Sequence, residues 1–156
     1  MPSRSGVGHI GDVREARSMN WRLIFGLSLF GLAMGIGTVF VIPWNVEPFC
    51  WLVIFLLCAY LIARSQASNR FLTGVALGIL NSIWITASHL IFFDRYMRHV
   101  GSAVNSALPT NGTVIVAPPI VGLLLVGPLI GLISGAVIGL LALAAGRFVR
   151  PPSSVA

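Results

Sequence analysis

Four long apolar runs, separated by short polar stretches, set out the plan of the chain. They cover about residues 21–42, 48–63, 71–93 and 119–146. A helix needs roughly 20 predominantly apolar residues to cross the hydrocarbon core of a bilayer, and three of the runs reach that length. The second, with 16 residues, is short by about a turn, which a locally thinner bilayer or a start nearer Trp44 would accommodate. The expected fold class is all-α, an integral membrane four-helix bundle with both termini cytoplasmic.

Punctuation between the runs fits this division. Residues 1–20 are polar and glycine-rich, with Arg4, Arg14, Arg17, Asp12, Glu15 and His9, and read as a cytoplasmic tail. The apolar run behind them is too long for a secretory signal, and no small-residue cleavage site closes it. Pro43 ends the first span. Pro48 suits the first turn of the second, with Glu47 at the positive end of that helix. Trp21, Trp44 and Trp51 fit interfacial positions. A polar turn from Arg64 to Arg70 leads to the third span, which is expected to continue as an interfacial helix through Arg98. Residues 99–118, rich in Gly, Ser, Asn and Pro, form a long non-cytoplasmic loop, and 147–156 a short basic tail. Asn111-Gly-Thr113 matches a glycosylation acceptor, which is relevant only on a eukaryotic secretory route.

Within the spans, small residues recur at fixed spacing. Gly127, Gly131, Gly135 and Gly139 stand four apart in the fourth run, Gly74 and Gly78 in the third, and Gly31 and Gly35 in the first. In a water-soluble helix each glycine costs about 1 kcal/mol relative to alanine. In lipid there is no hydrophobic drive between helices, and small residues supply close backbone contact instead. A four-residue repeat drifts about 40° per step from the helical period, so the glycines of the fourth span trace a slanted groove. The pattern predicts close packing of spans three and four, or self-association of the fourth span, and does not choose between them.

Composition and charge add orientation. Apolar residues make up 56% of the 156 residues and charged residues 9%, outside the range of soluble domains. A formal charge of +6 would suggest nucleic acid in a soluble protein. Here the ten basic residues are all arginines placed at the ends of apolar runs, so no nucleic-acid partner is expected. Arg4, Arg14, Arg17, Arg22, Arg64, Arg70, Arg147 and Arg150 fall on the side of the tails, and only Arg95 and Arg98 on the other. Eight against two places both termini in the cytoplasm by the positive-inside rule. Cys50 and Cys58, eight apart on one helix, lie about 12 Å apart and cannot pair. They read as small buried apolar residues.

Two polar groups could carry chemistry. The third span holds Asn81, Ser82, Thr86, Ser88 and His89. Ser82 and His89 are offset by about 20° on a straight helix, with Thr86 and Tyr96 close to that line. Polar residues at membrane depth usually face a bundle interior or a wet cavity. The stripe reads either as a proton or ligand site at His89, or as inter-helix hydrogen bonding with His89 near the interface. Asp94, Arg95, Arg98 and His99 form the densest charged cluster. Asp94 and Arg98, at i and i+4, suit a surface pair. Successive steps of about 140° from His89 to Asp94 to His99 point the three apart, which fits a solvated interfacial collar better than acid–base or metal chemistry.

No cofactor, metal or catalytic group is implied. Haem between spans needs facing histidines, and thiol redox chemistry needs a cysteine pair. In length and span number the chain is similar to small multidrug exporters. That likeness implies an acidic residue within the first span, and this chain has none there. The expected function is a non-enzymatic interaction, assembly or accessory subunit held by glycine packing. The alternative is a small oligomeric transporter or channel with a polar path along the third span. The expected partners are the lipid bilayer and either further copies of the chain or another membrane protein. A bacterial inner (plasma) membrane is the default setting, since helical spans argue against a barrel.

Overall fold

The computed structural model describes residues 19–43, 45–65, 69–98 and 119–149. Most of the two tails, Trp44, His99 and the loop 99–118 lie outside the described residues, and so do the expectations placed on them. Among the described residues the chain is all-helical. Four helices are long and apolar enough to cross a membrane: α1 (Trp21–Phe40), α2 (Glu47–Arg64), α3 (Arg70–Ile91) and α4 (Pro119–Ala145).

Several helix ends have a local reason. Asn20 and Asn69 cap α1 and α3, their side-chain oxygens accepting from Leu23 N–H and Leu72 N–H at 3.2 Å. These contacts satisfy N–H groups that the first turn leaves without a helical partner. Neither cap stood out in the sequence. The first helix closes at Phe40, two residues before the apolar run ends, because Val41 and Ile42 both direct their N–H groups to the Gly37 carbonyl at 2.8 Å. At the start of α2, Val46 has no side-chain capping bond. The Pro43 carbonyl accepts from Val46 and Glu47 N–H at 3.0 and 3.2 Å, and Glu47 takes the Trp51 indole N–H at 3.1 Å. In α4, Pro128 sits inside the helix, where its ring removes one N–H donor.

The expected continuation of α3 through Arg98 is interrupted. Phe92 adopts φ −106° and ψ 34°, outside the helical region, and helix resumes over residues 93–98. Arg95 and Tyr96 N–H groups both return to the Phe92 carbonyl, at 3.0 and 2.9 Å.

The helices are ordered α1, α3, α4, α2, each packed mainly on the next, with α3 and α4 sharing the most intimate contact. Residue pairing makes α1 parallel to α3 and α4 antiparallel to it. All four meet at the end that carries the tails, hereafter the tail end. There Ile24, Leu27, Cys58, Ala59, Ile62, Leu77, Ile138 and Ala142 form one buried cluster. At the opposite end, the loop end, the first third of α4 and the outer face of α2 stay exposed. Leu124, Leu125, Leu129, Phe49, Leu52 and Val53 all belong to these surfaces. Cys58 lies in the core and Cys50 is half-buried; both are free thiols.

Candidate functional site

The central helix α3 presents two different small-residue faces. Towards α4 it offers Gly74 and Gly78. A Cβ built on Gly74 would stand 2.5 Å from Gly139 Cα, and one on Gly78 would stand 2.5 Å from Gly135 N. From the other side, a Cβ on Gly135 would meet the carbonyls of Val75 and Gly74 at 2.9 and 3.0 Å, and one on Gly139 the Phe71 carbonyl at 2.7 Å. Further along, Gly131 lies against the Ser82 side chain and Gly127 against the Thr86 hydroxyl. Among the described glycines none has a positive φ, so their value here is the missing side chain rather than an unusual turn. The seam lies within one chain.

Towards α1, α3 offers Asn81, Ile85, Ser88 and His89. Gly31 is pressed on Asn81, where a Cβ would meet Oδ1 at 2.6 Å, and Gly35 on Ser88 Oγ at 2.9 Å. Two hydrogen bonds cross this interface. Trp84 Nε1–H donates to Ser28 Oγ at 3.2 Å, and His89 Nε2 lies 3.1 Å from Thr38 Oγ1. The α1 side is therefore lined by Ser28, Gly31, Gly35 and Thr38, at successive steps of three, four and three residues. That 3.5-residue period is the signature of a helix–helix seam. Ser28 and Thr38 went unsingled in the sequence, and this spacing, anchored on Gly31 and Gly35, is the signal that finds them.

The polar stripe expected on one line of α3 is thus split. Ser82 and Thr86 abut α4, whereas Asn81, Ser88 and His89 abut α1. Angular offsets for an isolated straight helix do not carry the crossing of two neighbours, which lets each claim a different flank. Inter-helix hydrogen bonding is also not general along the stripe. Ser82, Ser88 and Ser28 each donate to a carbonyl of their own helix at 2.8 Å, as hydroxyls in helices commonly do. Asn81, only 3% exposed, keeps a buried Oδ1 with no hydrogen-bond partner among the described residues.

The densest polar grouping lies at the loop end. His89 is 9% exposed. Its ring stacks on Tyr96, with centroids 4.0 Å apart and planes inclined by 16°. On an unbroken helix these residues would be separated by about 10 Å along the axis; the break at Phe92 brings them together. Thr38 also donates to the Gly35 carbonyl at 3.2 Å. Burial raises the pKa of the Tyr96 hydroxyl, and the nearby Glu47 carboxylate raises it further. Beside this group, Phe40 meets Phe92 edge-on at 5.0 Å, and Arg95 lies over the Phe40 ring at 4.5 Å. Asp94, Arg95 and Arg98 are exposed. His99 is outside the described residues. Glu47, expected to serve the start of α2, occupies its first turn and reaches Trp51 as well. No group of three or more potential metal ligands occurs among the described residues.

Set beside known proteins, the chain matches no protein family, no curated protein and no solved structure.

Proposed function

We propose that the protein is a multi-pass integral membrane bundle with both termini cytoplasmic, acting as a non-enzymatic interaction, assembly or accessory subunit. The observation that carries this reading is how the polar and small residues of α3 are used. Its glycines are spent on Gly131, Gly135 and Gly139 of the same chain, and its buried polar residues face neighbouring helices in close contact. What remains outward on α2 and α4 is apolar surface, suited to lipid or to another membrane protein. An oligomeric transporter with a polar path along α3 has less support. Ser82 and Thr86 point to one neighbour and His89 to another, so no continuous stripe is left to line a path.

The decisive experiment is the mass of the protein in mild detergent, corrected for bound detergent, for wild type and Gly131→Leu side by side. On this reading both have the same mass, and the variant is the less stable. A defined oligomer that dissociates in Gly131→Leu would put the seam between chains and return weight to a shared pore. Orientation is read separately by a reporter fused after Ala156, expected to be cytoplasmic. A non-cytoplasmic signal there would overturn the topology.

A further inference from the structure

We propose that the tail end of the α3–α4 seam is a phosphate-binding site, centred on Arg70 with Arg147 beside it, and that an anionic phospholipid head group supplies the phosphate. Arg70 is the first residue of α3 and is half-buried. Its guanidinium lies across the seam, against the end of α4. A Cβ built on Gly146 would stand 2.8 Å from Arg70 Cζ, so the missing side chain makes the room. The last turn of α4 has no basic residue of its own, and a cation there complements the partial negative charge of the final carbonyls. That contact accounts for where Arg70 lies but leaves its hydrogen bonding incomplete. Nε is buried with no partner among the described residues. Because the residue is half-exposed while Nε is sealed, its open edge is that of the terminal nitrogens. A planar fork of N–H donors presented in this way matches the oxygens of a phosphate.

The surroundings supply positive charge and no counter-charge. Arg147 follows Gly146 directly and is exposed; Arg22 near the start of α1 and Arg64 at the end of α2 are exposed at the same end. The two acidic groups among the described residues, Glu47 and Asp94, both lie at the loop end, and Asp12 and Glu15 lie outside the described residues. A half-buried cation is costly unless an anion meets it, and a phosphate has enough oxygens to serve Arg70 and Arg147 together. The loop end differs, since Arg95 lies over the Phe40 ring and follows Asp94 in the chain. The lipid source rests on the membrane reading given above. On that reading the tail end lies among head groups of the cytoplasmic leaflet, which is rich in anionic lipid, and the exposed Trp21 ring at the same end suits that level.

The test uses the full-length protein in a non-ionic detergent, titrated with phosphatidylglycerol, phosphatidylcholine or inorganic phosphate. Bound lipid is counted by native mass spectrometry, and thermal unfolding is followed by tryptophan fluorescence. Wild type is expected to bind phosphatidylglycerol about 10-fold or more tightly than phosphatidylcholine, the value of a hydrogen bond to a charged group. Arg70→Gln is expected to remove this preference, Arg147→Gln to reduce it and Arg95→Gln to leave it unchanged. Arg70→Lys, which keeps the charge and loses the fork, should fall between wild type and Arg70→Gln. A merely structural role for Arg70 would lower the unfolding temperature without lipid and leave the lipid preference intact. Equal binding of the two lipids by wild type would overturn the proposal, and so would a preference that survives both Arg70→Gln and Arg147→Gln. If Arg70→Gln does not fold, the exposed Arg147 and the Arg70→Lys variant carry the test. Stabilisation by inorganic phosphate with no preference for phosphatidylglycerol would overturn the lipid source. Failure of the protein to float with liposomes would instead strike the membrane reading, and the phosphate titration in detergent tells the two failures apart.

Discussion

Replacing Gly78 by alanine adds one methyl group at the point where α3 and α4 come closest, and its cost follows from the geometry. The new Cβ would stand 2.5 Å from Gly135 N, with Gly135 Cα and the Gly131 carbonyl also inside contact distance. Ordinary van der Waals contact begins near 3.4 Å, so the two backbones must part by about 1 Å. No flexible side chain is present at that point to move instead. A gap of that size forfeits about a quarter to a half of the dispersion energy of the atoms it separates, and overpacking of a close interface costs about 1–3 kcal/mol. Against this stands the helix-forming advantage of alanine, at most about 1 kcal/mol in water. It is smaller in a membrane, where the separated helices already keep their backbone hydrogen bonds. The expected net loss is about 1–2 kcal/mol, or about a 5- to 30-fold change in the folding equilibrium. Gly26 and Gly122 have no atom within 4 Å of an added Cβ, so alanine there should be neutral or slightly stabilising. The assay is reversible unfolding in mixed micelles of mild and denaturing detergent, followed by tryptophan fluorescence. If Gly78→Ala unfolds at the same denaturing-detergent fraction as Gly122→Ala, the close-contact argument is wrong.

Two further outcomes follow from the ends of the helices. Asn69→Ala removes the acceptor of Leu72 N–H and should lower stability by about 1 kcal/mol in the same unfolding assay; an unchanged midpoint would mean that water or headgroups replace the cap without loss. Tyr96 gives the protein an alkaline sensitivity, because folding holds its hydroxyl neutral beyond the ordinary value of 10.0. Its contribution to stability is complete below pH 10.0 and is lost as the pH rises from there through the higher folded value. Wild type should therefore lose stability over that range relative to Tyr96→Phe, and parallel pH profiles for the two proteins would refute the assignment.

Much of the fold was legible from the chain because its causes are local. Apolar length and terminal punctuation suffice for the four helices, and the observed ends fall within two residues of the apolar runs. The differences have specific causes, such as the bonds of Val41 and Ile42 to Gly37 at the end of α1. Spacing also exposed the glycines, because a missing side chain every fourth residue is visible without a partner. The candidate site was only half legible. His89 stood out as an ionisable residue in an apolar run, but Thr38 is an ordinary threonine until His89 lies 3.1 Å from it. Spacing on a continuous helix puts Tyr96 near the same line, but its stacking on His89 arises from the break at Phe92.

The sequence by itself determined that this chain forms four apolar helices with close-packing flanks on three of them. Both properties follow from the period of a single helix and the size of its side chains. Tertiary structure decided which flank meets which. It put α3 between α1 and α4, spent the glycine ladders within one chain, and split a stripe that a lone helix would keep whole. Periodicity records only angle and depth along one axis. Helix order and crossing arise from contacts between residues distant in the chain, which no local spacing encodes.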